Sequence, residues 1–320
     1  RGWSGYDLRT GEQKIAMSPG ARTAMSHHRC YRNKASVNYI FTGRDGIEVL
    51  DVKQGWQGNN SWIRGTCQYG ILPANGLLYT PPNACGCSTQ VQLQGFFAAS
   101  PRRQPQPPTK GQARLVKGPA FGQISNLEAD ISPSSWPMFR AGAKRSGSVR
   151  TQIAANLKKA WSAKITNLSS TLTRSQLTQA VVVDGTAYVA AKDAHTVHAL
   201  DANSGKEKWT YTTGGRIDSA PTYHKGMLIC GSADGCVYCL RASDGVLAWK
   251  FKAAPAELLV SVYGQLESAW PVHGSVLVHD EELVLTAGRS TYLDDGLRFY
   301  RLNPVSGEVL AEKTITHIDP

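Results

Sequence analysis

The stretch ALDANSGKEKW, from Ala199 to Trp209, returns forty residues later as CLRASDGVLAW, from Cys239 to Trp249. Leu200 aligns with Leu240, Gly205 with Gly245 and Trp209 with Trp249. Self-similarity at a period of this size restricts a chain to stacked copies of one supersecondary unit. The units extend beyond the phrases: QAVVVDGTAYVAAKDAHTVHALDANSGKEKW ends at Trp209, and SAPTYHKGMLICGSADGCVYCLRASDGVLAW ends at Trp249. A looser third unit, PVHGSVLVHDEELVLTAGRSTYLDDGLRFYRLNPVSGEVL, puts Gly307 62 residues after Gly245. An insertion of roughly 20 residues therefore intervenes, most of it in AELLVSVYGQLES.

Each unit reads as short strands. TAYVAA, TVHAL, MLICGS and CVYCL are rich in β-branched and aromatic residues or alternate in polarity, and VDG, ADG, NSG and SDG turns separate them. About four strands per 40 residues is the pattern of a propeller blade. One such sheet cannot bury both faces alone, so blades must stack. The fold class expected is all-β, a β-propeller of four-stranded blades. Trp209 and Trp249, with Gly205, Gly245 and Gly307, are expected to be structural blade residues, the indoles wedged between neighbouring sheets.

The first hundred residues scan as degenerate blades: GYDLRTGEQK as a blade end, then YIFTGRDGIEVLDVKQG and GILPANGLLYTPPNACGCSTQVQLQGFFAAS. The expected organisation is degenerate blades over 1–99, a basic Pro-rich linker or loop over 100–134, and regular blades over 135–320, all of one propeller. About five blades are legible, while a closed ring of about seven or eight needs more chain. The opening at Arg1 inside a blade end reads as a piece of a longer polypeptide.

ALDANSGKEKW, GSADGCVYCLRASDGVLAW and LNPVSGEVL resemble pyrroloquinoline-quinone-type (PQQ-like) propeller repeats, whose pattern is roughly Ala-x-Asp-x-x-Thr-Gly-x-x-x-Trp. SWPMFRAGAKRSG, from Ser135 to Gly147, is similar to the Trp-Pro-x-x-Arg phrase that leads into such repeats. HHRCYRNKASVNYI, CQYGILPANGLLYTPPNACGC and SAWPVHGSVLV look most like large propeller-repeat proteins of planctomycete-type bacteria. The resemblance covers 160–313 well, 1–99 weakly and 100–132 not at all. It implies one of two things. One is a quinoprotein-like oxidoreductase holding PQQ and calcium. The other is a non-catalytic periplasmic or secreted propeller, like the lipoprotein that helps assemble outer-membrane proteins. Quinoprotein dehydrogenases hold the quinone against a disulfide of adjacent cysteines and use an Asp beside calcium. This chain has CGC at Cys85 and Cys87 instead of a Cys-Cys pair, and Asp294 and Asp295 in YLDDGLRFY read as a blade turn. The resemblance and these departures together favour an extracytoplasmic binding or scaffold protein.

The charge is unevenly placed. From Pro101 to Val183 there are 13 Lys and Arg against two acids, Glu128 and Asp130, which accounts for the whole net charge of +11. Such a block suits a protein partner or an anionic glycan, or is a solvated linker. It lacks the interleaved aromatic platforms that argue for nucleic acid. No run of about 18 apolar residues occurs, so no membrane-crossing helix is expected.

Ligands bind at the mouths of propeller channels, and the strand before each turn of VDG type is expected to be innermost. HHRCYRNK, GTCQYGIL, LTQAVVV, DSAPTYH and SAWPVHGSV are those strands. They supply the channel candidates His27, His28, Arg29, Cys30, Arg32, Cys67, Tyr69, Trp270 and His273, joined by Arg64 and Arg140 in an anion-binding funnel. The cysteine and histidine side chains leave three readings open. His27, His28, Cys30, Cys67, Cys85 and Cys87 are a candidate metal set, although their spacing is scattered. Cys30 and Cys67 are candidates for a disulfide, in a chain whose seven cysteines leave at least one without an intramolecular partner. Cys230, Cys236 and Cys239 lie in strand patterns and are expected to be packing residues. A nucleophile pair of Cys30 with His27 or His28 is the weakest reading, because strand neighbours alternate faces. No Gly-x-Ser-x-Gly elbow, Walker loop or His-Glu-x-x-His motif occurs.

Overall fold

A computed structural model describes residues 3–17, 31–43, 46–60, 62–83, 93, 95–100, 113–124, 131–153, 155–165, 176–262 and 264–317. Among them the chain is all-β, built of antiparallel propeller blades, with two short 3-10 turns and no α-helix. It divides into two compact units, one of 1–104 with 261–265 and one of 105–260 with 266–320.

The first unit holds a hairpin of β1 (Trp3–Tyr6) and β2 (Gln13–Met17). A four-stranded meander follows: β3 (Lys34–Ala35), β4 (Tyr39–Thr42), β5 (Ile47–Asp51) and β6 (Gln57–Asn60). A three-stranded sheet of β7 (Leu72–Ala74), β8 (Leu77–Thr80) and β9 (Phe97–Ala99) completes it. Tyr31 anchors the unit. Its ring fills a slot where a Cβ on Gly65 or on Gly70 would come within 2.8 Å of it.

The second unit carries the regular blades. Its first blade is β11 (Val181–Val183), β12 (Thr186–Ala191), β13 (Thr196–Asp201) and β14 (Glu207–Thr212). The second runs β15 (Thr222–His224), β16 (Met227–Gly231), β17 (Cys236–Arg241) and β18 (Leu247–Lys252). β19 (Leu259–Val262) and β20 (Gln265–Ser268) fall within the inserted stretch, of which 261–265 belong to the first unit. The third blade is β21 (Leu277–His279), β22 (Glu282–Ala287), β23 (Leu297–Leu302) and β24 (Val309–Ile315). Each blade is an up-and-down meander with the same irregularity, a bulge between strands three and four at Ala199/Leu200, Cys239/Leu240 and Arg301/Leu302. β11 neighbours β15 and β15 neighbours β21, so the first strands of the blades line up side by side.

The middle blade is covered on both faces. β16 is buried along its whole length, and β17 is buried at all but its last residue, as expected of strands with no solvent face. Cys230, Cys236 and Cys239 serve here as small apolar fillers. Burial pushes the Cys230 and Cys236 thiols up to about 12, so neither is a thiolate at neutral pH. Val181, Tyr188, Val197, Ile217, Leu228 and Leu240 belong to one core cluster between the first two blades.

The repeated tryptophan locks one blade to the next. The indole Nε1 of Trp161, Trp209 and Trp249 donates to the carbonyl of Ala202, Ala242 and Pro304, at 2.9, 3.0 and 3.1 Å. Each ring then lies on the glycine three residues beyond that carbonyl. A Cβ on Gly205, Gly245 or Gly307 would stand 2.6, 2.5 or 2.8 Å from the indole, and all three glycines have φ above +70°. Glycine is therefore required twice, by backbone and by contact. The Asx turn beneath is built by Asp201 and by Asn303, whose Oδ1 accepts from the next two available backbone amides. Arg241 stands at that place in the middle blade and pairs instead with Asp244.

Part of the stretch expected to be linker is a strand. β10 (Leu115–Lys117) pairs antiparallel with β18 and gives the middle blade a fifth strand. The guanidinium of Arg114 lies 4.9 Å from the Phe251 ring centre and 5.3 Å from that of Tyr300. It donates to Glu312 at 2.9 Å, to the Tyr300 hydroxyl at 2.7 Å and to the Lys252 carbonyl at 3.2 Å. This one side chain ties the middle blade to the third. Burial lowers its pKa, but Glu312 and Tyr300 together more than offset that, and the guanidinium stays charged.

Candidate functional site

Segments before β15 and β21, with β20 and the turn after β22, bring five ionisable side chains together. Arg216 and Asp218 precede β15, Glu267 lies in β20, His273 precedes β21, and Arg289 follows β22. Arg216 Nε donates to Asp218 Oδ1 at 2.8 Å, and its Nη2 is 3.0 Å from Glu267 Oε1. Arg289 Nη2 donates to Glu267 Oε2 at 2.5 Å, and its Nη1 is 3.1 Å from His273 Nε2. His273 Nδ1 lies 2.5 Å from Asp218 Oδ2, which closes the ring. Because Arg289 has only hydrogens to give, Nε2 accepts and Nδ1 carries the imidazole proton to Asp218.

Exposure is graded around the ring. The Glu267 side chain is 0% exposed and that of Arg289 6%, against 22% for Asp218 and 30% for His273. A buried carboxylate survives only with charged or hydrogen-bonding partners, and Glu267 has two arginines. Burial raises the Asp218 pKa, but hydrogen bonds from His273 and Arg216 outweigh it and hold the group at about 2. Asp218 is a carboxylate at any physiological pH. Burial lowers the Arg216 pKa, yet Asp218 and Glu267 leave it raised on balance.

Asp218 also forms one wall of a cleft of about 450 Å³. Thr178, Ser219 and Ser275 face it from the segments before β11, β15 and β21, with Gln179 and Lys192 beside them. Phe139 and Arg145 close it from the lead-in segment before the first blade. Arg145 Nη1 donates to the Phe139 carbonyl at 2.7 Å, and its guanidinium lies 5.3 Å from the Phe139 ring centre. The cleft lies where three adjacent first strands, β11, β15 and β21, begin.

The sequence-derived candidates are scattered by comparison. His27, His28, Arg29, Cys30, Cys85 and Cys87 lie outside the described residues, as does any pairing of Cys30 with Cys67. Arg32 is exposed, Arg64 is buried, Cys67 is half-buried and Tyr69 is exposed, all in the first unit. Arg140, in the second unit, is exposed in a turn with φ +55°. Trp270 is buried, and its Nε1 donates to the Asp294 carbonyl at 2.8 Å, so its ring is committed to packing. Asp294 and Asp295 occupy positive-φ positions of that turn. SAWPVHGSV is not itself the inner strand of its blade: it leads into β21, because Trp270 and His273 precede Leu277. Of the channel candidates His273 alone belongs to the ring. Arg216, Asp218, Glu267 and Arg289 were not singled out from sequence. Gly215-Arg216 and Gly288-Arg289 are the visible trace of the two cations, and nothing periodic announces their acids.

A profile of the PQQ-like repeat family, described as outer membrane protein assembly factor BamB, matches residues 145–318. The chain belongs to this family. No curated protein sequence matches the chain. Among solved structures, a quinohemoprotein alcohol dehydrogenase from Comamonas testosteroni is 22% identical, over 62% of this chain and 30% of its own, with a TM-score of 0.46. A europium-containing methanol dehydrogenase is 18% identical, over 60% of this chain and 34% of its own, at 0.45. BamB from Moraxella catarrhalis is 15% identical, over 92% and 78% of the two chains, at 0.28. The match to the two dehydrogenases spans about a third of their length.

The PQQ-like repeats raise the question of a quinone with calcium. Calcium takes about six to eight oxygen ligands. Asp218 is the cleft's one carboxylate, and its two oxygens already accept from Arg216 and His273. Glu267, the other ring acid, lies between two arginines. No group of three or more metal-ligating side chains occurs among the described residues. The residues of this site do not fit the calcium–quinone pair.

Proposed function

We propose that this PQQ-like propeller is a non-catalytic binding or scaffold protein that works outside the cytoplasm and takes its ligand or partner at the cleft above the charged ring. The observation that carries this reading is the closure of the ring. Each of its five side chains lies within hydrogen-bond or ion-pair distance of two others, so both acids are paired with arginine and both ring nitrogens of His273 are engaged. A general acid or base must reach a substrate proton with a free lone pair or hydrogen, and His273 has neither nitrogen left for one. These groups instead hold the segments before β15 and β21 in place, which is what a preformed binding surface needs. An extracytoplasmic location accords with the family description, and among the described residues no helix is long and apolar enough to cross a membrane. The basic charge of 101–183 favours a protein or anionic-glycan partner.

The test is the native intact mass of the purified full chain compared with its denatured, unreduced mass. Equal masses are expected. An excess matching a quinone with calcium would replace this reading with a quinoprotein oxidoreductase. An excess matching a transition metal would replace it with a metal or redox protein, and His27, His28, Cys30, Cys67, Cys85 and Cys87 would be the first ligands to substitute.

A further inference from the structure

The cleft lining repeats with the blades. Thr178 and Ser219 each stand five residues before the last residue of their inner strand, Val183 and His224. Ser275 stands four before His279 in the third blade. Three blades thus each line the cleft with a hydroxyl-bearing residue, and Gln179 adds an amide; the Thr178 oxygen already accepts from the Ala190 amide at 3.0 Å, which leaves its hydrogen to donate. The charges around these neutral groups are unequal. Asp218 is neutralised within the ring. Lys192 meets the amide oxygen of Gln176, and Arg145 meets a backbone carbonyl; neither makes a salt bridge among the described residues. Burial lowers the Arg145 pKa, so this cation gains from an arriving anion. Phe139 at the rim is 40% exposed.

Resting on the binding reading above, we propose that the cleft binds an acidic saccharide of uronate type, its carboxylate held by Lys192 and Arg145 and its hydroxyls by Thr178, Ser219 and Ser275. Hydroxyl and amide groups that both donate and accept match a polyol, whose oxygens do the same. A simple anion would leave them unused, and an apolar ligand would leave them desolvated and unpaired. The apolar face of a pyranose ring suits the exposed part of Phe139. The volume lies in the range of small-ligand sites. An acidic peptide would use the two cations but has few groups for three separate hydroxyls, and is the competing class.

The experiment is calorimetric titration of the full chain with trigalacturonate, with maltotriose and triglutamate as comparators, at low and moderate ionic strength. Trigalacturonate is expected to bind at least about tenfold more tightly than either comparator and to weaken as salt rises. Lys192→Gln is expected to weaken it about fivefold or more, and Ser219→Ala about threefold, both with unchanged thermal unfolding. Triglutamate binding as tightly, and lost in Lys192→Gln, overturns the saccharide class while leaving a binding cleft in place. Trigalacturonate binding that ignores Lys192→Gln and Ser219→Ala overturns the site. No heat with any probe at millimolar concentration overturns the inference, and the native mass decides separately whether the binding reading stands.

Discussion

At the scale of the residue, Asp218 is the group on which the site's pH response turns. Its pKa falls from an ordinary 3.8 to about 2 on folding. A depressed carboxylate contributes stability that is fully present above its unfolded value and is lost as pH falls through its folded value. The window for Asp218 therefore runs from about pH 4 down to about 2, with on the order of 2 kcal/mol at stake at neutral pH. Asp218→Asn is expected to lose about that much in urea unfolding at pH 7. The gap to the native protein should narrow as pH falls to about 2, where the native carboxyl is half protonated, and close below it. A gap that stayed constant with pH would show that the change acts through packing and not through charge. Gly245 is the second residue whose replacement separates two effects. Gly245 and Gly185 share φ +75°, but a Cβ on Gly245 meets Trp209 at 2.5 Å and one on Gly185 meets nothing within 4 Å. Gly185→Ala is expected to cost about 1 kcal/mol of backbone strain. Gly245→Ala should cost about 3, the excess being the displaced indole. Thermal unfolding of the two variants side by side measures that excess, and equal costs would mean that the indole contact carries no energy.

At the scale of the element, the fifth strand is the feature that most changes how the blades are held. β10 satisfies part of the outer edge of β18, and the pairing continues through Lys252 N to the Arg114 carbonyl and Gly118 N to the Ala248 carbonyl. Edge strands left open invite pairing with other chains, and an intrachain strand removes that opportunity. Arg114→Ala is expected to cost about 2 kcal/mol, because it leaves the Tyr300 hydroxyl and Glu312 without a charged donor. Hydrogen exchange should then speed up at the amides of Lys252, Gly118 and Ala120 before it does so at those of β16. Unchanged exchange at those three amides would show that the strand is held by its backbone pairing alone.

At the scale of the whole molecule, the buried apolar side chains of the described residues are divided unequally. Within residues 1–104 the described core comprises Tyr31, Ile47, Leu50, Ile63, Ile71 and Leu93, while 105–320 supplies nearly all the rest. Stability follows buried apolar area, so the first unit is expected to open at lower free energy. Limited trypsin digestion should degrade 1–104 first and leave a fragment beginning within the basic stretch that contains Arg102, Arg103 and Lys110. Simultaneous loss of both units would mean that they unfold as one cooperative body.

Local information was enough for the blades. Leu200 and Leu240, Gly205 and Gly245, Trp209 and Trp249 fall in register because every blade meets the same neighbour in the same way, and a recurring environment leaves a recurring residue. Strand alternation and Gly turns are likewise decided within a few residues, so they are legible one window at a time. The charged ring has no such repetition. Arg216, Asp218, Glu267, His273 and Arg289 come from segments spread over more than one blade, and each ion pair exists only once. Arg114 and Glu312 are 198 residues apart, and no period of the chain relates them. Repetition could therefore be read from the chain alone. Which acid meets which arginine, which strand caps β18 and which hydroxyls share a cleft were decided by how the blades pack, since those contacts form between segments that carry no mark of one another.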